Sequence, residues 1–127
     1  MSKPVRVVIA AVAEGDLQAI YNQRLAQRGA QGIDGADALL DHLYDVIASL
    51  AGFPLRGPVP PELAVLGIAD WRQVSAPPYR IIYIPEAGVL TVVLVADGRR
   101  DFASLLERRL LSATWGDVAR DKGLPVP

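Results

Sequence analysis

The sequence predicts an α+β fold: a mainly antiparallel sheet of about four strands, with an N-terminal helical hairpin packed on it and a C-terminal helix. Three observations predict this. A short β-branched run near the N-terminus is followed by two amphipathic helical periods separated by glycines. Three strand-like runs then crowd into residues 70–97, with turn residues between them. A leucine- and arginine-rich helical pattern follows directly. The length of 127 residues fits one domain spanning 1–127, in which 114–127 is a short C-terminal extension.

Val5 to Ala10 forms the opening strand, just after Pro4. Its apolar stretch, VVIAAVA, is short and the preceding positive region is thin, so a strand is expected here rather than a signal peptide. From about Val12 the spacing becomes helical, with Leu17, Ile20, Tyr21 and Leu25 on one face, and Gly29 ends the helix. Asp34 is the expected cap of a second helix, with Asp37 in its first turn. The apolar stripe of that helix is Leu40, Leu43, Tyr44, Ile47, Leu50 and Ala51, and Gly52 stops it. The segment Phe53 to Gly67 carries four prolines and two glycines, so its first half is a surface connection without regular structure.

Asp70 to Ala76 alternates, with Trp71, Gln73 and Ser75 on one face and Arg72 and Val74 on the other. After Pro77-Pro78, Tyr79 to Ile84 and Val89 to Ala96 form a hairpin across the Pro85–Gly88 turn. The second of these strands is nearly all apolar, which places it in the middle of the sheet with both faces covered. Phe102, Leu105, Leu106, Arg109 and Leu110 then give the third helix, with Asp101 at its start. Thr114 is the expected cap of a short last helix, Trp115 to Lys122, ended by Gly123 and Pro125.

Composition narrows the function classes. With no cysteine there are no disulfides or thiolate metal sites, which agrees with a reducing compartment. No apolar run reaches the ~18 residues of a membrane span, so no membrane partner is expected. The formal charge of −1 provides no global basic field for nucleic acid, and no sequence-specific DNA binding by the chain alone is expected. Half the residues are hydrophobic, which points to a well-filled core together with a surface covered by another protein. Residues 56–109 hold seven arginines and no lysine, a preference that suits bidentate contacts to carboxylates or phosphates and that coding bias also produces.

The stretches AEGDLQAIY, PYRIIY and VLTVVLVADGRRDFASLLERRL, together with the paired amphipathic helices, resemble the toxins of the RelE/ParE superfamily, from bacterial type II toxin–antitoxin modules. The resemblance covers residues 5–111. It implies a cytoplasmic bacterial protein of the plasmid-stabilisation kind, without a cofactor or metal, silenced by a cognate antitoxin whose helix and tail cover the helical hairpin and the sheet edge. Two activities occur among such proteins: ribosome-dependent mRNA cleavage in the RelE-like branch, and inhibition of DNA gyrase by binding in the ParE-like branch. Arg80 matches the arginine of the YRIIY strand and Arg100 the arginine after the turn. The strand expected to supply lysines reads Asp70, Trp71, Arg72, Gln73, and the expected helix tyrosine is most nearly Leu106. Metal-free RNA cleavage needs a general base and a general acid as well as cations. No catalytic residue is therefore assigned, and the ParE-like reading, with gyrase as target, is preferred to the ribosome and mRNA or to a degenerate toxin that only binds antitoxin.

The candidate target- or antitoxin-binding residues are Trp71, Arg72, Arg80, Arg99, Arg100, Arg108 and Arg109. Each has a plainer reading beside it. Arg80 pairs with Glu86 or Asp97; Arg99 and Arg100 pair with Asp97 or Asp101; Arg108 and Arg109 complement the dipole at a helix end; Trp71 packs. Tyr79 and Tyr83 are expected in the core and His42 on a solvated helix face. Glu14 and Asp16 are read as favouring the dipole at a helix start.

Overall fold

The computed structural model describes residues 5–111. The expected extension 114–127, with its helix capped by Thr114, lies outside them. The chain runs β1 (Arg6–Ile9), α1 (Ala11–Arg28), α2 (Ala36–Ser49), α3 (Pro61–Ala64), β2 (Arg72–Ala76), β3 (Tyr79–Glu86), β4 (Val89–Asp97) and α4 (Phe102–Leu111). The four strands form one sheet in the order β1-β4-β3-β2. β1 lies parallel to β4, whereas the β4–β3 and β3–β2 pairs are antiparallel, so the sheet is mixed.

Both faces of the sheet are covered. α1 and α2 bring Ala13, Leu17, Ile20, Leu43, Ile47 and Leu50 against one face, where Val74, Ile81, Tyr83, Leu90, Val92 and Val95 meet them. On the other face, Leu63 of α3 and Phe102 and Leu106 of α4 pack with Trp71, Ile82, Ile84, Val93 and Leu94. Every residue from Leu90 to Ala96 is buried, as the apolar run of β4 predicts for a central strand. At ~1.5–3 kcal/mol for each large side chain removed from water, β3 and β4 are the hydrophobic spine of the fold.

Two local details depart from the expectations. The N-cap of α2 is Gly35, not Asp34; the carboxylate of Asp34 instead faces Arg28 at 3.7 Å. β4 carries a bulge: the register passes from Ile82↔Leu94 to Tyr83↔Val92, leaving Val93 without a β3 partner. The extra residue shifts the alternation, so Val93 and Leu94 both join the α3/α4 side while Val92 and Val95 stay on the α1/α2 side.

Hydrogen bonds to β2 and β3 tie the proline-rich segment to the sheet. Gln73 N–H donates to Pro58 C=O at 2.9 Å, Gly57 N–H donates to the Tyr83 hydroxyl at 3.1 Å, and Arg72 Nη1 donates to Gly57 C=O at 2.7 Å. Tyr83 is thus both a core ring and a polar anchor. A Cβ on Gly57 would lie 1.7 Å from Gln73 C=O, so no other residue fits without moving the loop. No described helix is long and apolar enough to cross a membrane.

Gly57→Ala is therefore expected to lose about 1–3 kcal/mol of stability, the cost of forcing atoms into a filled site. Chemical denaturation of the variant tests this, and a midpoint equal to that of the parent protein would refute the packing account.

Candidate functional site

The seven candidate residues separate by position. Trp71 is buried against the α3/α4 side of the sheet. Arg72 holds the loop through Gly57 C=O and, at 3.3 Å, Leu55 C=O. Arg80 is enclosed. Its Nη1 and Nη2 each donate to a Glu62 carboxylate oxygen at 2.9 Å. Its Nε donates to Gln73 Oε1 at 2.8 Å, and Nη2 reaches the same oxygen. The guanidinium also lies over the Phe102 ring, 3.9 Å from its centroid. Arg80 therefore pairs with neither Glu86 nor Asp97. Hydrogen bonding from Arg80 holds the Glu62 carboxyl below its ordinary range despite partial burial.

Arg109 does not act as a simple helix-end cation. Its Nη2 and Nη1 reach the two carboxylate oxygens of Asp16 at 2.8 and 3.0 Å, and Nη1 also donates to Val93 C=O at 2.6 Å. Asp16, read from sequence as a helix-start acid, accepts Val95 N–H at 3.0 Å through the same carboxylate. The two side chains, 18% and 15% exposed, close the edge of β4 at its bulge. Asp16 falls on the stripe of Ala13, Leu17 and Ile20, and Arg109 on that of Phe102 and Leu106. A lone acid and a lone base, each on an apolar stripe, were the available signal for this pair.

Arg99, Arg100 and Arg108 remain at the surface. Arg99 follows its plainer reading, since its guanidinium chelates Asp97 at 2.6 and 3.0 Å while its N–H bonds the same carboxylate at 2.9 Å. These hydrogen bonds lower the Asp97 pKa to about 2. Asp101 caps α4 by accepting Ser104 N–H at 3.2 Å and the Ser104 hydroxyl at 2.7 Å. No side-chain hydrogen bond or ion pair holds the guanidinium of Arg100 or Arg108 among the described residues.

Arg100, Arg108 and Arg109 line one cleft of about 290 Å³ along β4, floored by Leu94, Val95 and Ala96 and containing Asp16. A second cavity of about 140 Å³ also includes Arg100 and Asp16 and extends to Gln23 of α1 and Tyr79 of β3. Arg80 lines a different cavity, of about 360 Å³, with Arg56 and Gly57. The two arginines that match the RelE-like pattern thus line different cavities among the described residues. A mostly apolar hollow of about 470 Å³ lies between α3 and α4, lined in part by the exposed Val65 and Leu66. Tyr79 and Tyr83 are in the core, and His42 is exposed on α2.

Removing one partner of the half-buried pair, by Asp16→Asn or Arg109→Gln, is expected to cost about 2–3 kcal/mol, since the other is left desolvated. A double-mutant cycle read by denaturation should give a coupling of about 1–3 kcal/mol; additive losses would show the two residues to be independent. Asp97 sets a pH dependence. Its folded pKa lies below the unfolded value near 3.8, so its contribution is complete above that value and is lost as pH falls through about 2. Carbon NMR of the carboxyl should show that midpoint, and an ordinary titration near 4 would remove the Arg99 chelate from the account.

Comparison with known proteins agrees with this architecture. A chain of the chromosomal ParDE toxin–antitoxin system from P. aeruginosa superposes with a TM-score of 0.60 at 14% identity, covering 76% of this chain and 98% of its own. A chain of the RelBE2 toxin–antitoxin complex from Mycobacterium tuberculosis gives 0.55 at 17%, covering 79% and 98%. No curated protein sequence matches. The model of the ParE toxin of the type II toxin–antitoxin system parDE matches residues 7–102, and the chain belongs to that toxin family.

Proposed function

We propose that this protein is a cytoplasmic toxin that inhibits DNA gyrase by binding it, and that a cognate antitoxin neutralises it by covering its helical hairpin and sheet edge. The observation that carries the choice of binding over cleavage is the state of Arg80. All its donor groups that face the fold are engaged by Glu62 and Gln73, and it lies in a different cavity from Arg100. A cation saturated by an internal carboxylate is poorly placed to take up a scissile phosphate. Of the candidate arginines, Arg99, Arg100 and Arg108 are the exposed ones, available for contact with target or antitoxin. Exposed Phe53, Leu55, Val65 and Leu66 are the apolar surface that a wrapping antitoxin would bury.

Controlled expression in bacteria tests the proposal. The expected outcome is growth arrest with filaments and DNA damage, together with loss of supercoiling by purified gyrase when the purified chain is added. Codon-specific mRNA ends after induction, with supercoiling intact, would instead favour the ribosome-dependent nuclease. Arrest should be relieved by the small protein encoded next to the toxin.

A further inference from the structure

α3 is a strap with two firm ends and a loosely fastened middle. Gly57 and Pro58 anchor one end through their bonds to β2 and β3, and buried Trp71 anchors the other. Within α3 only Leu63 is buried; Pro61 and Ala64 are exposed and Glu62 is half-buried. Val65 and Leu66 stand 83% and 68% exposed, over the hollow that lies between α3 and α4. Among the described residues, the fork of Glu62 on Arg80 is the strap's one ion pair between those anchors.

Arg80 does not need Glu62 to hold its direction. Gln73 of β2 accepts from its Nε, and the Phe102 ring of α4 lies against the guanidinium. Gly98 leaves room for the aliphatic stem, where a Cβ would come within 3.0 Å of Arg80 Cδ. These contacts come from the sheet, the turn after β4 and α4. Glu62 instead meets Nη1 and Nη2, the pair of donors that grips an oxyanion. Arg80 also borders the cavity of about 360 Å³ that Arg56 lines, so a second cation shares that space.

We propose that α3 is a built-in block: Glu62 fills a phosphate-class oxyanion site, formed by Arg80 and Arg56, that opens when α3 swings away. The block is independent of the choice of target and holds whether or not the chain arrests growth. A tethered carboxylate acts at an effective concentration on the order of millimolar, so a weak singly charged anion does not displace it. A phosphoryl group brings more charge and a third acceptor oxygen, with which it reaches Arg56 as well as the fork. Release of Glu62 leaves Leu63 as the buried hold on α3, so the backbone of the strap moves with the exchange.

Pyrophosphate is the probe, titrated into the full chain at constant ionic strength and followed by proton–nitrogen NMR. In the parent protein it should shift the Arg80 Nε–H signal and the Leu63 and Val65 amides on one saturable curve. E62Q, which keeps the shape of the side chain and removes its charge, should bind about tenfold or more tighter, because the tethered competitor is gone. E62Q/R80Q should lose that gain, and E62Q/R56Q should bind about threefold or more weaker than E62Q. Dispersed spectra establish that E62Q is folded; where they collapse, E62D, whose carboxylate falls short of the fork, takes its place with the same expected gain. Affinity no higher than that of the parent, a gain that survives loss of Arg80, indifference to Arg56, or strap amides that stay still while pyrophosphate binds the parent each overturns the proposal.

Discussion

Where β4 continues past the end of β1, a bulge and an open edge coincide, and one ion pair closes both. Asp16 comes from the first helix and Arg109 from the last, separated by 93 residues in the chain. Each bonds one backbone group of β4 as well as the other side chain. An unsatisfied backbone group at this depth costs about 1–3 kcal/mol, so the carboxylate and guanidinium do more than attract each other. They also protect an edge that could otherwise pair with another strand. Through this contact the position of α4 depends on α1, and the cleft walls depend on the position of α4.

A second enclosed arginine shows the same economy of charge. Arg80 lies between Glu62, Gln73 and the Phe102 ring, and so links the proline-rich segment, β2, β3 and α4 on the other side of the sheet. Two of the candidate arginines, Arg80 and Arg109, are thus engaged inside the fold. What faces solvent is a smaller set around the end of β4, together with apolar side chains on α3 and on the loop before it.

Local patterning was enough to read the elements. The 3.6-residue stripes of α1, α2 and α4, the alternation of β2 and the apolar run of β4 each depend on neighbours a few residues apart, and each element stands where its pattern placed it. The α+β class follows from their order. Local signals also failed in small ways. Gly35 displaced Asp34 as a cap because the hairpin turn brings Gly35 against the carbonyls of Ala30 and Gln31, where a Cβ would sit within 2.4–2.6 Å. α3 formed inside a proline-rich stretch because Pro60-Pro61 is compatible with a helix start, with Pro61 in the first turn.

Periodicity and residue type alone set the fold class, the central place of β4 and the membership of the arginine set. Which of those arginines reach solvent depends on how the elements stack. Arg80 finds Glu62 across 18 residues and Arg109 finds Asp16 across 93. Such partners are set by how sheet and helices stack, and no short window of sequence contains both. The sequence also carried no mark of the bulge at Val93, because one extra apolar residue in an apolar strand leaves the pattern unchanged while it turns the following side chains to the other face.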